Sequence, residues 1–78
     1  MKGIYYVKKS NKVTIYNVPW TFVRELQDTL DSVEDFDKLL NGQFMVVVRV
    51  PIYNNQKEMK FIKELIEKYE NLETQESK

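Results

Sequence analysis

The feature that most limits the fold of this chain is a run of five consecutive apolar residues, Phe44 to Val48. Three of the five are valines, whose branched side chains lose little rotamer freedom on a pleated surface, so the run predicts a β-strand. Apolar and polar residues do not alternate in it, so both faces of the strand should be covered. We therefore expect a strand at 43–50 that lies in the centre of a sheet or is completed by a second copy of the chain.

The length of the chain, 78 residues without a cysteine, limits the stability that the fold can reach. A domain of this size buries roughly 60% of the surface of its unfolded chain, and its single core supplies about 3–5 kcal/mol. No disulfide or thiolate metal site can add to this. We expect one domain over residues 1–72 with a frayed tail at 73–78, and we expect self-association or a partner.

The first third of the chain predicts a β-hairpin and then a helix. Residues 3–7 and 13–16 are strand candidates on either side of a polar, lysine-rich turn. Pro19 suits the first turn of a helix, which should run from Pro19 to Asp31. After Pro19, apolar residues recur at helical spacing, at Phe22, Val23, Leu26, Leu30 and Val33.

The next segment predicts a second, short helix. Ser32 followed by Asp35 resembles a capping box with aspartate in place of glutamate, so this helix should span Val33 to Leu40. Gly42 can adopt the positive φ that often follows a helix, and it should end this one.

A last helix is predicted after the apolar strand, with Asn55 and Glu58 as its capping residues. The order of elements is then β-β-α-(α)-β-α, which predicts a small two-layer α+β domain. We expect a three-stranded, mostly antiparallel sheet with the helices packed on one face, and a homodimer that pairs through the free edge of the 43–50 strand. The apolar stripe of the last helix comprises Met59, Phe61, Ile62, Leu65, Ile66, Tyr69 and Leu72.

The residue inventory argues against an enzyme. The chain has no histidine and no cysteine, so the commonest general base and the thiolate nucleophile are absent. Its only glycines are Gly3 and Gly42, which excludes a glycine-rich phosphate loop. We expect no catalytic residue, no cofactor and no metal site. Oxygen ligands for Ca²⁺ or Mg²⁺ do cluster in one segment, but their spacing differs from an EF-hand loop and the solvated start of a helix explains them.

Composition also bears on the setting in which the protein works. The net charge is zero, which argues against a dedicated duplex-DNA binder. The longest apolar run is far shorter than the roughly 20 residues of a membrane span, so we expect no membrane partner and a cytoplasmic protein. Alanine is absent and lysine far outnumbers arginine, as in proteins of AT-rich genomes. This suits a low-GC bacterium or its phage, in which case the location is the cytoplasm of the host cell.

By elimination, we expect a small non-enzymatic regulator or inhibitor, encoded by a phage or mobile element, that binds a host protein or defence complex. Trp20 follows Pro19 at a strand-to-helix junction, where a large aromatic side chain either plugs the core or anchors an interface. A rigid row of carboxylates can face a basic groove on a partner. The candidate partner-binding residues are Trp20, Tyr16, Asp31, Glu34, Asp35 and Asp37.

Two other functions stay open. Tyrosines among lysines suit binding of single-stranded nucleic acid, through stacking on bases and contacts with phosphates. The chain could also be a small oligomeric building block that only assembles. The residues of the nucleic-acid alternative are Tyr5, Tyr6, Lys8, Lys9 and Lys12 in the hairpin.

The stretch from Lys12 to Leu30 resembles the start of ribbon–helix–helix repressors, with a short alternating strand, a proline and an amphipathic helix. In that family a dimeric pair of strands lies in the major groove, so the resemblance implies that Lys12, Thr14 and Tyr16 face DNA. It covers about a quarter of the chain. A strand precedes the ribbon here, and the valine strand follows where that family has a long second helix, so we do not assign the chain to the family.

Overall fold

The computed structural model describes the backbone of residues 3–76 and the side chains of residues 3–71. Neighbouring strands are all antiparallel, in the order β1-β2-β4-β3. The fold is a small α+β domain, as the sequence predicts. The predicted three strands and third helix are wrong, because the described chain has four strands and two helices: β1 (Tyr5–Lys9), β2 (Lys12–Val18), α1 (Trp20–Thr29), β3 (Val33–Lys38), β4 (Phe44–Arg49) and α2 (Gln56–Glu76).

One side of the sheet, here called the helix side, carries the core. Side chains alternate across a strand, so Val13 and Ile15 of β2 point to this side together with Val46 and Val48 of β4. All four are fully buried. Both helices contribute to the same buried cluster, through Phe22, Val23 and Leu26 of α1 and Ile62, Leu65 and Ile66 of α2.

Strand β4 lies in the interior of the sheet, between β2 and β3. The opposite face, here called the open side, has no helix of the described chain upon it, and Met45 and Val47 are half-buried there. The expectation that both faces of this strand are covered is therefore met only on the helix side. Because both edges of β4 are paired within the chain, a dimer formed through this strand has to use side chains of the open side rather than a backbone edge.

The predicted short helix over Val33 to Leu40 is wrong, because this segment is strand β3. Its pairing with β4 shifts between Val33 and Asp35, which marks a β-bulge with Glu34 as the extra residue. The bulge places Val33 and Phe36, three residues apart, on the same side of the sheet. A spacing of three is also the spacing of one helix face, so the bulged strand has the same apolar pattern as a helix.

A second bulge, in β2, brings the end of that strand into the core. The register with β4 shifts between Ile15 and Val18, and Asn17 has a positive φ of 64°. Asparagine tolerates this left-handed conformation better than most residues. Without the extra residue, strict alternation from Ile15 would turn Val18 to the open side. With the bulge, Val18 is fully buried.

The helix boundaries lie close to the predicted ones. Pro19 is the N-cap of α1 with φ −75°, and the backbone N–H of Leu30 closes the other end on Leu26. The carbonyl of Asn55 accepts the first bond of α2 from Met59, while the Asn55 side chain donates to the carbonyl of Pro51. Of the predicted tail, residues 73–76 continue the backbone of α2, and residues 77 and 78 lie outside the described part of the chain. Within residues 3–76, neither helix is long and apolar enough to cross a membrane.

Candidate functional site

The outer edge of β1 has no neighbouring strand in the described part of the chain. Lys9 pairs with Lys12 across a two-residue turn, in which Ser10 takes a positive φ of 56°. The pair that closes such a turn exchanges hydrogen bonds, and bonded and non-bonded pairs then alternate along the hairpin. Tyr5, Val7 and Lys9 therefore bond to β2. The backbone N–H and C=O groups of Tyr6 and Lys8 point away from the sheet.

A groove lies beside this edge, between β1 and α2. It encloses about 590 Å³, and the half-buried side chains of Tyr6 and Met59 give it an apolar floor. The groove continues past Tyr6 toward Ile4, where Ile66 lines it. Gly3, just before β1, lies beside Glu70, whereas Lys8 lines the groove together with Gln56 at the start of α2. The helix α2 therefore runs antiparallel to β1. Charged side chains form the rim, namely Lys8, Lys60, Lys63, Glu64 and Glu67.

The other outer edge of the sheet, on β3, has its outward donors occupied. The N–H of Leu39 bonds to Gln43, so alternation directs the N–H groups of Phe36 and Lys38 away from β4. The Phe36 N–H donates to Asp35 Oδ1 at 2.8 Å, and the Lys38 N–H donates to Asp37 Oδ1 at 3.0 Å. Each aspartate thus occupies the donor of the residue that follows it. A charged edge with its donors occupied resists the addition of another strand.

Glu34, the bulge residue of β3, connects three strands at the open side. It accepts a hydrogen bond from Arg49 Nε at 2.6 Å and lies 3.5 Å from Lys12 Nζ. The hydrogen bond from Arg49 and the charges of Arg49 and Lys12 lower the pKa of Glu34, against the smaller opposing effect of burial. The bulge lets the carboxylate reach both cations, and the pairs lock the register of β3 on β4.

Trp20 and Tyr16, two of the predicted partner-binding residues, lie on different sides of the sheet. The Trp20 ring contacts Phe36 at a centroid distance of 5.4 Å and Phe44 at 5.2 Å, so it attaches β3 to the start of α1. It is nevertheless 41% exposed. Tyr16 lies on the open side, stacked against Tyr5. The structure therefore does not bring Trp20 and Tyr16 together.

The predicted acidic residues are distributed around β3. Asp31 is exposed in the turn before this strand, Glu34 is paired with Arg49, and Asp35 and Asp37 bond to the backbone of the strand edge. In the described part of the chain, no three carboxylates lie close enough together to hold a metal ion. The acidic segment thus has local structural roles in the pairing of strands.

The hairpin residues of the nucleic-acid alternative also divide between the two sides. Tyr6 and Lys8 face the groove on the helix side. Tyr5, Lys9 and Lys12 belong to the open side, where Tyr5 and Tyr16 stack at 4.9 Å with an interplanar angle of 14°. Rings stacked on each other across two strands have no room between them for a base.

A polar contact also joins the two helices, α1 and α2. The Tyr69 O–H donates to Glu25 Oε1 at 2.8 Å, and Lys68 lies 3.2 Å from the same carboxylate. The hydrogen bond from Tyr69, helped by Lys68, lowers the pKa of Glu25, while burial and the Glu25 carboxylate raise the pKa of Tyr69. The Tyr69 ring packs edge-on against Phe22 in the core, so this contact orients α2 over the sheet.

Sequence reasoning missed the groove between β1 and α2. Its α2 rim is a mixed lysine and glutamate flank, which looks like any solvated helix face. Nothing local to β1 shows that it is an edge strand, because edge position depends on the order of strands in the sheet. Comparison with protein-family models, curated proteins and solved structures finds no match to this chain.

Proposed function

We propose that this chain is a non-enzymatic, protein-binding regulator or inhibitor that holds an extended segment of its partner along the outer edge of β1. One observation carries the proposal. The outward backbone groups of Tyr6 and Lys8 are unpaired in the described structure and lie beside an apolar-floored groove, whereas the corresponding donors of β3 are occupied. Exposed strand edges are usually protected against pairing with other chains, as the β3 edge is here. The unprotected β1 edge in the same sheet therefore favours a role for β1 in binding a partner.

Strand addition explains what the groove and the edge do together. Tyr6 and Lys8 offer two N–H donors and two C=O acceptors to an added strand, and each bond contributes about 0.5–1.5 kcal/mol net. Every second side chain of the added strand then points to the helix side, where Tyr6 and Met59 form the floor of the groove. Backbone bonds supply affinity, and the groove supplies selectivity.

The rim charges specify the kind of segment that fits. Lys8 and Lys60 lie at the end of the groove near the start of α2, and Glu64 and Glu67 lie further along the helix. A segment with an apolar residue over Tyr6, an acidic residue at the Lys8 end and a basic residue at the Glu67 end complements these charges. This chain then acts by occupying a strand of its partner. Its amino-acid composition, typical of proteins from AT-rich genomes, suits a phage or mobile element whose product acts on a host protein.

The test uses a displayed library of random linear peptides as the probe. Enriched peptides are synthesised, and their affinities are measured by calorimetry with the wild-type chain, with Lys8→Pro and with Lys38→Pro. Proline at either position removes an N–H that does not bond to the neighbouring strand, so both variants should remain folded. They differ in the edge that they block and in the rim charge that Lys8→Pro also removes from the groove.

We expect enriched peptides that bind at least about tenfold more weakly to Lys8→Pro, because two strand hydrogen bonds are lost or displaced. Lys38→Pro should bind these peptides with the affinity of the wild type. In NMR spectra of the wild-type chain, added peptide should change the chemical shifts of β1 and of the α2 residues at the groove rim. Equal binding to both proline variants, or shifts confined to other surfaces, overturns the proposal. The proposal is also overturned if selection on the wild-type chain enriches no peptides beyond those enriched by selection on Lys8→Pro.

A further inference from the structure

The centre of the open side is apolar, and no helix of the described chain covers it. Thr14 of β2 pairs there with Val47 of β4, and Tyr16 and Met45 are next along the same strands. All four are half-buried, whereas the neighbouring residues on the helix side are fully buried. With strands about 4.8 Å apart and a rise of about 3.3 Å per residue, the face measures roughly 19 by 20 Å.

Charges of opposite sign flank this centre. Lys9, on the outer strand β1, forms the basic flank, and its row continues through Lys12 of β2 and Arg49 of β4. The acidic flank lies on β3, where Asp35 pairs with Val47 and the Glu34 carboxylate closes the row that Lys9 and Lys12 begin. The open side therefore changes from basic to acidic across the sheet, from β1 to β3.

We infer that the occupant of the open side is a second copy of this chain, packed face to face. The strand order β1-β2-β4-β3 places the middle of the sheet between β2 and β4. A two-fold axis at this position, parallel to the strands, sets β1 of each copy over β3 of the other. The same rotation sets Thr14 over Val47 and places Lys9 of one copy over Glu34 of the second. Asp35 of the second copy lies one row away from this contact, within reach of the long Lys9 side chain. Each favourable contact then occurs twice.

The arrangement also accommodates the cations nearest the axis. Lys12 and Arg49 of opposite copies face each other there, and each is paired with Glu34 of its own copy. Aligned sheets pack about 10 Å apart, a gap that Tyr16, Met45 and Val47 can fill from both sides. A face of roughly 19 by 20 Å on each copy is smaller than a standard specific interface, so we expect a weak dimer.

A nucleic acid is the competing occupant of this face, and two observations favour the second copy. The stacked Tyr5 and Tyr16 rings leave no gap for a base. The carboxylates of Asp35 and Asp37 lie on the same face and repel phosphates, whereas they attract the lysines of a second copy. The basic and acidic flanks of the open side complement each other in a two-fold dimer. A nucleic-acid strand is negative along its whole length, so it complements only the basic flank.

The test is a charge swap read by sedimentation equilibrium over a range of protein concentrations. Lys9→Glu and Asp35→Lys are each made alone and then together, with Asp35→Asn as the control that keeps an oxygen acceptor for the edge of β3. Lys9 and Asp35 are separated by three strand spacings, about 14 Å, so they interact little within one chain. Rescue in the double variant therefore reports a contact between copies.

We expect each single reversal to weaken the dimer about tenfold, because each places two like-charge contacts in the interface. The double variant should return to within about threefold of the wild type, and added salt should reduce all these differences. A wild-type mass that stays monomeric at every concentration overturns the inference, as does a double variant no better than the single ones. Oligothymidine binding that Lys9→Glu weakens and Asp35→Lys strengthens would assign the face to nucleic acid instead. Peptide binding at the β1 edge is measured separately, so failure of one proposal leaves the other standing.

Discussion

The two outer edges of this sheet, on β1 and β3, differ in the residue that precedes each outward N–H group. On β3, Asp35 and Asp37 precede the outward donors, and each accepts a hydrogen bond from the next residue. On β1 the corresponding positions hold Tyr5 and Val7, whose side chains have no acceptor close to the backbone. A short carboxylate one residue before an outward donor thus blunts an edge, and its absence leaves the edge open.

The two edges also differ in what lies beneath them. Below β3, the Trp20 ring packs against Phe36 and Phe44 and fills the space next to the strand. Below β1, α2 stays far enough away to leave the groove between Tyr6 and Met59. Among the described residues, the β3 edge is closed in both its hydrogen bonds and its packing, and the β1 edge is open in both.

The largest loss of stability should come from a proline at a position of β1 whose N–H bonds to β2. Val7 donates its N–H toward β2, so Val7→Pro removes a ladder bond and should lower the free energy of unfolding by about 2–3 kcal/mol. Lys8→Pro, one residue further, should cost less than about 1 kcal/mol. Urea unfolding measures both variants. Equal costs would mean that the assignment of outward groups on β1 is wrong.

The next largest effect should come from truncation of Trp20. Trp20→Ala removes two aromatic contacts and part of the apolar packing below β3, so we expect a loss of about 2 kcal/mol. Amide hydrogen exchange should accelerate in β3 more than in β1, since only β3 loses its attachment to α1. Tyr53→Ala is the control, because Tyr53 is 81% exposed and should change stability little. Uniform acceleration of both strands would contradict the local role of Trp20.

A smaller effect on stability, with a clear effect on association, should follow removal of the two edge aspartates. The double variant Asp35→Ala and Asp37→Ala frees the N–H groups of Phe36 and Lys38, so the β3 edge becomes a template for pairing. We expect less than about 1 kcal/mol of destabilisation and a rise in light scattering with time. The double variant Asp28→Ala and Asp31→Ala removes the same charge away from the edge and should stay clear. If both variants aggregate alike, net charge rather than edge blunting keeps the protein soluble.

The smallest effect should be a pH dependence that comes from Glu34. Its pKa is lower in the folded chain because Arg49 and Lys12 stabilise the carboxylate, so folding is favoured above the unfolded pKa of about 4.3. This contribution should be lost as pH falls through the lowered folded pKa. Wild type should therefore exceed Glu34→Gln in stability by a constant amount near neutral pH, and the two should converge in acid. A gap that persists below the folded pKa would mean that Glu34 acts through packing instead.

Elements with a strong local pattern can be predicted from the amino-acid sequence alone. The apolar run predicts β4, the alternation in 13–16 predicts β2, and periodic apolar stripes predict α1 and α2 to within a few residues. The α+β class followed from the order of these elements. Each of these signals arises from one side of a single element facing the core, so it can be read without knowledge of neighbours.

The conformation of β3 and the identity of the two edge strands depend on tertiary contacts. Ser32 and Asp35 favour a helix locally, but pairing with β4 gives this segment a full set of backbone partners, and the bulge at Glu34 places Val33 and Phe36 in the position that a helix would have given them. The strand order then made β1 and β3 the edges and put α2 beside β1. A residue's own pattern fixes which of its sides is apolar. Which strand lies at an edge depends on contacts between residues far apart in the chain, and no local pattern records them.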